Sequence, residues 1–218
     1  MILENFIVFE GIDGAGTTTQ LKILQENENT KNFLFTAEPT ACPTGKFLRQ
    51  VLKGNFKLST QTVTYLFATD RCEHVNGKLL CEGKNLISGI KEACEKNKIV
   101  ISDRYFFSSL AYQGIGTDGN LVRLVNSSFP LPKLLFYFDI SAQSAIERIQ
   151  KRGEQKEIFE KLDFLNSAIQ EYKKILAEYQ NPQKNQGMKI IFLNAELQKE
   201  EISKIIWNEI QNLPIFNA

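Results

Sequence analysis

Five short apolar runs, each closed by polar or turn-forming residues, alternate along this chain with longer stretches of helical period. Strands are expected at 5–10, 32–37, 98–102, 133–139 and 189–194, where β-branched and aromatic residues cluster with little polar interruption. Helices are expected at about 17–27, 44–53, 60–75, 83–97, 142–151, 160–179 and 199–211. A strand with no polar side is buried on both faces, and the intervening helices supply the crossovers that parallel strands need. The pattern therefore predicts an α/β fold, a parallel sheet with helices on both faces. Neither a Pro/Ser-rich linker nor an internal repeat divides the chain, so one domain over residues 1–218 is expected. The Asn- and Gln-rich stretch at 180–187 reads as a surface loop. The charge-dense stretch at 153–157 reads as part of a lid at about residues 150–160.

In open parallel sheets, ligands sit outside the carboxyl ends of the strands. That rule gathers four segments onto one rim: Gly11 to Thr18, Glu38-Pro39, Asp103-Arg104 and the residues after Asp139. The first reads Gly11-Ile12-Asp13-Gly14-Ala15-Gly16-Thr17-Thr18. It follows the phosphate-loop pattern of Gly, four residues, Gly, Lys, then Ser or Thr, except that Thr17 replaces the lysine. Glycines let successive backbone N–H groups turn inward around phosphate oxygens, and the following helix N-terminus adds orphan donors and a favourable dipole. A Gly-rich turn from strand to helix occurs in any α/β domain. The strand in front and Thr18 at the metal-ligand position turn this one into an expected nucleotide site.

Composition narrows the partners. A net charge of +1 over 218 residues gives no broad basic field, which argues against a polynucleotide partner. No apolar run approaches the roughly 20 residues that span a bilayer, and no leader pattern opens the sequence, so a cytoplasmic protein with no membrane partner is expected. Cys42, Cys72, Cys81 and Cys94 form no C-x-x-C pair and His74 is the sole histidine; structural zinc is not expected, and reduced thiols are.

A second site is expected around Asp103 and Arg104, just past the end of a strand. An aspartate there can orient a metal-bound water, and a guanidinium can grip a phosphate with two planar donors. By themselves the two also fit an ion pair at the sheet rim. Phe67 and Arg71, four apart on one expected helix, share a face and so can stack on a planar base and bond its edge. Ser108, Tyr112 and Gln113 add short polar groups and another ring, which together suggest a pocket for a nucleoside monophosphate.

The run Asp103-Arg104-Tyr105-Phe106-Phe107-Ser108-Ser109-Leu110-Ala111-Tyr112-Gln113-Gly114 closely resembles that of thymidylate kinases, which transfer a phosphoryl group from ATP to dTMP. Phe9-Glu10-Gly11-Ile12-Asp13-Gly14-Ala15-Gly16, Glu38-Pro39, Leu66-Phe67 with Arg71, and Arg148 with Arg152-Gly153-Glu154 follow in the same order, over about residues 5 to 195. The resemblance implies a nucleoside-monophosphate-kinase fold with a five-stranded parallel sheet, usually a homodimer, using Mg2+. It implies ATP contacts along Gly11, Ile12, Asp13, Gly14, Ala15, Gly16, Thr17 and Thr18. It also implies that Asp13 reaches the acceptor sugar or metal-bound water, that Phe67 stacks on thymine with Arg71 at its O4, and that Arg104 clamps the acceptor phosphate. It implies further that Tyr112 closes under the deoxyribose, that Ser108 and Gln113 contact the base edge, and that Thr18 and Asp103 lie at magnesium. Gly14 stands where some relatives place a loop arginine; Arg152, in the lid, stands where others supply one, and with Asp13 and Arg104 makes up the catalytic set.

Besides Thr17, the chain departs from many bacterial members in Ala37 for arginine, Pro39-Thr40-Ala41 for Pro-Gly-Gly, and Phe107 for an acid. Loss of one preorganised donor costs about 3 kcal/mol, roughly a hundredfold in rate, and phosphoryl transfer spreads its electrostatic load over several groups. An active enzyme is therefore expected. Two other functions fit the same pattern: a kinase for another pyrimidine nucleotide, and a nucleotide-binding module of little catalytic power.

Overall fold

The computed structural model describes residues 1–80, 86–152 and 162–216, the side chains of 78–80, 86, 87, 152 and 216 excepted. Strand β1 (Ile2–Gly11) leads through the phosphate loop into helix α1 (Thr17–Gln25), followed by β2 (Leu34–Ala37), α2 (Pro43–Leu52) and α3 (Thr60–Asn76). Two short strands, β3 (Lys78–Leu80) and β4 (Leu86–Ser88), pair antiparallel apart from the main sheet. Then come α4 (Ile90–Glu95), β5 (Val100–Asp103), α5 (Phe106–Gly116), α6 (Gly119–Asn126) and β6 (Leu131–Asp139). Helices α7 (Ala142–Arg152), α8 (Leu162–Tyr179) and α9 (Pro182–Asn185), strand β7 (Lys189–Asn194) and α10 (Lys199–Gln211) complete the order.

The main sheet has five parallel strands in the order β2-β5-β1-β6-β7, as expected. Its three central strands carry the continuous apolar runs. Phe6, Ile7, Val8 and Phe9 are wholly buried, as are Val100, Ile101, Leu135, Phe136 and Phe138. The edge strands are less covered: every residue of β2 is half-buried and Phe192 of β7 is exposed. Chain order explains the site's position. Strands β2 and β5 lie on one side of β1, and the chain then crosses to lay β6 and β7 on the other. Register aligns the carboxyl ends, with Phe9 and Ala37 both opposite Asp103, Gly11 opposite Phe138 and Asp139 opposite Asn194.

Several elements differ from expectation. The helix expected at 83–97 is shorter, because Leu86–Ser88 pairs as a strand and Gly89 caps a new helix at Ile90; residues 81–85 lie outside the described residues. Helices α5 and α6 carry no expected assignment. In α5, eight consecutive residues from Phe106 to Gln113 are buried, so the helix has no polar stripe to betray its period. The Asn/Gln-rich loop contains the single-turn helix α9, started by Asn181, whose side chain accepts the Gln183 N–H.

Cys72 and Cys94 are free thiols, whereas Cys42 is disulfide-bonded, a departure from the expected reduced state. Among the described residues, no cluster of three or more His, Cys, Asp or Glu is placed to hold a metal, and no helix is long and apolar enough to cross a membrane. His74 is instead buried between Thr36 and Glu38.

Candidate active site

The phosphate loop leaves β1 at Gly11 and closes with a bond from the Ala15 N–H to the Ile12 carbonyl. Two of its glycines are required by conformation. Gly14 has φ +83° and a Cβ there would lie 2.5 Å from the Ala145 carbonyl oxygen on α7; Gly16 has φ +101° and caps α1. An arginine at position 14 would therefore have to push α7 away. Among the described residues no side chain caps α1, which leaves the first N–H groups of that helix as donors for an anion. Thr17 opens the helix and is itself buried, with a hydroxyl where the pattern has an ammonium.

Thr18 Oγ1 donates to Asp103 Oδ2 at 2.5 Å, which ties the loop to the end of β5. The other carboxylate oxygen, Oδ1, is buried without a partner among the described residues. A hydroxyl beside a carboxylate with a spare oxygen is a hard-donor pair suited to Mg2+, which is held by one or two protein groups plus phosphates and water.

One residue on, Arg104 adopts φ +73°, in the left-handed region. Its N–H reaches the Phe9 carbonyl (2.8 Å) and its carbonyl accepts the Ser102 hydroxyl (2.7 Å). The guanidinium pairs with Asp13, donates from Nη1 to Ser108 Oγ (3.2 Å) and lies 5.4 Å from the centre of the Tyr112 ring. The Tyr112 hydroxyl accepts the Asp13 N–H (3.2 Å), so ring, acid and guanidinium fix one another. Burial, the largest influence, pushes the Tyr112 phenol above its ordinary pKa, so it stays protonated.

Asp13, Arg104, Ser108, Tyr112, Gln113 and Phe67 meet around a small cavity of about 60 Å³. Leu52, Tyr112 and Gln113 also line a neighbouring apolar cavity of about 560 Å³, walled further by Phe56, Val63 and Phe164. Gln113 is buried between the two, and its Oε1 has no partner among the described residues.

Arg71 is not part of this lining, although it shares a helix with Phe67. It is 1% exposed. Its Nε donates to Glu38 Oε2 (2.9 Å), Nη2 to Ser109 Oγ (3.0 Å), and Nη1 to Asn126. Tyr105 and Phe129 flank the guanidinium at 5.6 and 5.7 Å. Glu38 also meets His74 Nδ1 at 2.9 Å, so Arg71 and His74 together hold the acid that precedes Pro39. Asp70 secures the next turn by accepting the Thr40 N–H (2.7 Å) and the hydroxyls of Thr40 and Thr44. Thr40, one of the departures noted above, thus has a partner of its own. Phe107 is buried against Phe106 and Tyr179.

A third cavity, of about 510 Å³, opens on the other side of the phosphate loop. Gly16, Thr19 and Gln20 form its floor, Arg148 and Lys151 of α7 one wall, and the turn at 195–200 the other. Arg148 Nη2 donates to the Ala195 carbonyl and Gln20 Nε2 to the Lys199 carbonyl, both at 2.8 Å. Sequence reasoning missed this wall, because residues 195–200 carry no motif and meet Arg148 across 47 positions. Arg152 ends α7; its side chain and the rest of the expected lid, residues 153–160, lie outside the described residues.

Glu10, which no motif singles out, accepts the Ser108 hydroxyl from beneath this site. It is wholly buried at the end of β1, and burial, opposed by Ser108, Arg104, Tyr172 and Tyr105, pushes its carboxyl up to about 7.

A family profile described as Thymidylate kinase matches residues 9–206. A Treponema pallidum (strain Nichols) protein provisionally named thymidylate kinase is 37% identical over 211 residues, 96% of each chain. A protein of Methanocaldococcus jannaschii named probable thymidylate kinase is 34% identical over 215 residues, 98% of this chain and 100% of its own. The thymidylate kinase of Leptospira interrogans is 37% identical over 177 residues, 78% and 81% of the two chains.

Proposed function

Since the chain belongs to the thymidylate kinase family, we propose that it transfers the γ-phosphoryl group of ATP to dTMP, giving dTDP and ADP. The observation that carries the mechanism is the phosphate loop with a cavity on each side. A phosphate oxygen of dTMP attacks the γ-phosphorus, the bond to the β-phosphate oxygen breaks, and ADP leaves with that electron pair. Such chemistry needs positioning and charge neutralisation more than covalent help.

Arg104 holds the acceptor phosphate through its planar fork, and Asp13 turns from the guanidinium toward the sugar hydroxyl. Tyr112 underlies the deoxyribose, while Phe67 stacks on the base and Gln113, with Ser108, meets its polar edge. Arg71 acts one shell further out, as the counter-ion of Glu38. The small cavity alone cannot house a nucleotide, since ligand pockets run to roughly 300–1,000 Å³. Together with its apolar neighbour it has the room, polar at Arg104 and apolar toward Phe164.

ATP lies across the loop, its phosphates on the amides of Gly11, Ile12, Asp13, Gly14, Ala15, Gly16, Thr17 and Thr18, and its base in the cavity beside Arg148. Thr18 and Asp103 would hold Mg2+, which supplies charge neutralisation at the phosphates. Arg152 brings a cation to the transferring group, the role that Thr17 cannot fill. A homodimer is part of the same proposal and is read by sedimentation.

Coupled detection of ADP from purified protein with ATP, magnesium and dTMP tests the activity. We expect dTMP to outrun dUMP, dCMP and UMP. A preference for one of those would reassign the acceptor, and tight ATP or dTMP binding without ADP release would mark a binding module instead.

A further inference from the structure

Glu10 has no role in the mechanism above, yet its surroundings are those of a working group. Its Oε1 accepts the N–H groups of Tyr105 (2.8 Å) and Ser108 (3.2 Å). Its Oε2 accepts the hydroxyls of Ser108 (2.6 Å) and Tyr172 (2.8 Å). All but the last come from the turn that carries Arg104 into α5. Non-glycine residues held at positive φ persist only where neighbours fix them, and they gather at functional sites. Arg104 is fixed on both sides, its own N–H on Phe9, its carbonyl on Ser102, and the next N–H along on Glu10. The side chain has a second tie. Arg104 Nη1 donates to Ser108 Oγ, whose hydrogen goes on to Glu10 Oε2, so a buried carboxylate backs the guanidinium through one hydroxyl.

We propose that Glu10 is the positioning residue of the acceptor-phosphate clamp: it fixes the left-handed backbone of Arg104 through the Tyr105 N–H and aims the guanidinium through the Ser108 hydroxyl. The proposal rests on Arg104 being that clamp. The competing account is local and structural. Tyr105 and Ser108 open α5, no side chain of that helix caps it, and Glu10 Oε1 fills the gap from β1. The two oxygens separate the accounts. In Glu10→Gln the amide oxygen can still cap both N–H groups, but the amide nitrogen offers donors where two hydroxyls need an acceptor. Capping survives that change and the relay to Arg104 does not.

The test measures dTMP affinity by calorimetry and both KM values at pH 8, where the Glu10 carboxyl is ionised. Glu10→Gln is expected to weaken dTMP binding about tenfold, the scale of one charge-assisted hydrogen bond, with the KM for ATP held within about twofold. In an Arg104→Ala background the same change should add less than about twofold, because the group it acts through is gone. Losses that multiply across the two positions overturn the proposal, and so does a Glu10→Gln protein that melts early with dTMP affinity intact or with both nucleotides weakened alike. If Glu10→Gln does not fold, Tyr172→Phe removes one hydroxyl from Oε2 and keeps the ring. It should weaken dTMP about threefold, again silently without Arg104, and an unchanged affinity overturns the proposal. Arg104→Ala with dTMP affinity intact would instead remove the clamp assignment itself, a failure distinct from that of Glu10.

Discussion

The two sides of the phosphate loop differ in how much of their chemistry is already assembled. On the acceptor side, Asp13, Arg104, Ser108 and Tyr112 are bonded to one another, and Glu10 and Tyr172 back them from the core. On the donor side one wall of the cavity is a turn at 195–200, and the loop position that should carry a cation carries Thr17. The difference separates recognition from rate. In the proposed assignment, acceptor binding uses groups already bonded to one another before substrate arrives, whereas charge stabilisation at the transferring phosphoryl group would fall to Arg152. Changes on the acceptor side should then appear first in dTMP affinity, and those on the donor side first in kcat.

Arg152→Ala should break this division most visibly. An arginine finger is worth about a thousandfold or more in kcat, against roughly a hundredfold for one ordinary donor. Its loss should lower kcat by about a thousandfold while moving either KM by only a few-fold, because the contact matters mainly in the transition state. Thr17→Lys restores the usual loop cation and should recover part of that loss in the double variant. Steady-state kinetics of the three variants measures both effects. A nearly silent Arg152→Ala would move the role to Lys151 or Lys156.

Arg104→Lys is the acceptor-side counterpart. It keeps the charge but loses the planar fork, the contact to Ser108 and the stacking on Tyr112, and should cost about 30-fold in kcat/KM for dTMP. A lysine enzyme indistinguishable from the parent would end the clamp assignment. Phe67→Ala comes next. Base–aromatic stacking is worth roughly 1–3 kcal/mol, so the KM for dTMP should rise about tenfold with that for ATP nearly unchanged. Equal weakening of both nucleotides would show that α3 serves neither side selectively.

The same asymmetry governs what could be read in the sequence. The three central strands were legible because burial on both faces leaves an unbroken apolar run, and the two edge strands because β-branched and aromatic residues cluster in them; the rim rule then placed Asp13, Thr18, Asp103 and Arg104 together. Helix α5 was hidden by the same burial, since a helix apolar on all sides has no period to detect. Phe67 and Arg71 show the limit of spacing. Four residues apart puts two Cβ atoms on one face, but the long arginine side chain runs to Glu38, 33 positions away, and that partner has no local signal. The donor wall was missed for a like reason, being assembled from backbone carbonyls that any sequence supplies. Glu10 did leave a trace, as a charged residue closing an apolar run, but its partners Ser108 and Tyr172 are remote in sequence.

The last expected effect is one of stability, and it sharpens the comparison from the acceptor side. Burial raises the Glu10 carboxyl from an ordinary 4.5 to about 7, against the pull of Ser108, Arg104, Tyr172 and Tyr105. Between those two values the folded protein keeps a proton that the unfolded chain has released, so stability must fall as pH rises through this window. Below 4.5 both states hold the proton and above 7 neither does, so the contribution from this group levels off at each end. One proton corresponds to at most about 1.4 kcal/mol per pH unit, which for a chain of this length is about 3 °C in Tm. Other groups titrate in the same range, so the measurement is the difference between the Tm–pH curves of the parent and of Glu10→Gln, in which their contributions cancel. The parent should lose stability relative to the variant from pH 5 to 7 and run parallel to it above pH 8. Parallel curves throughout would mean that Glu10 is ionised across the whole range, its four donors and Arg104 outweighing burial. The acceptor clamp would then be backed by a fixed charge, insensitive to pH over that interval.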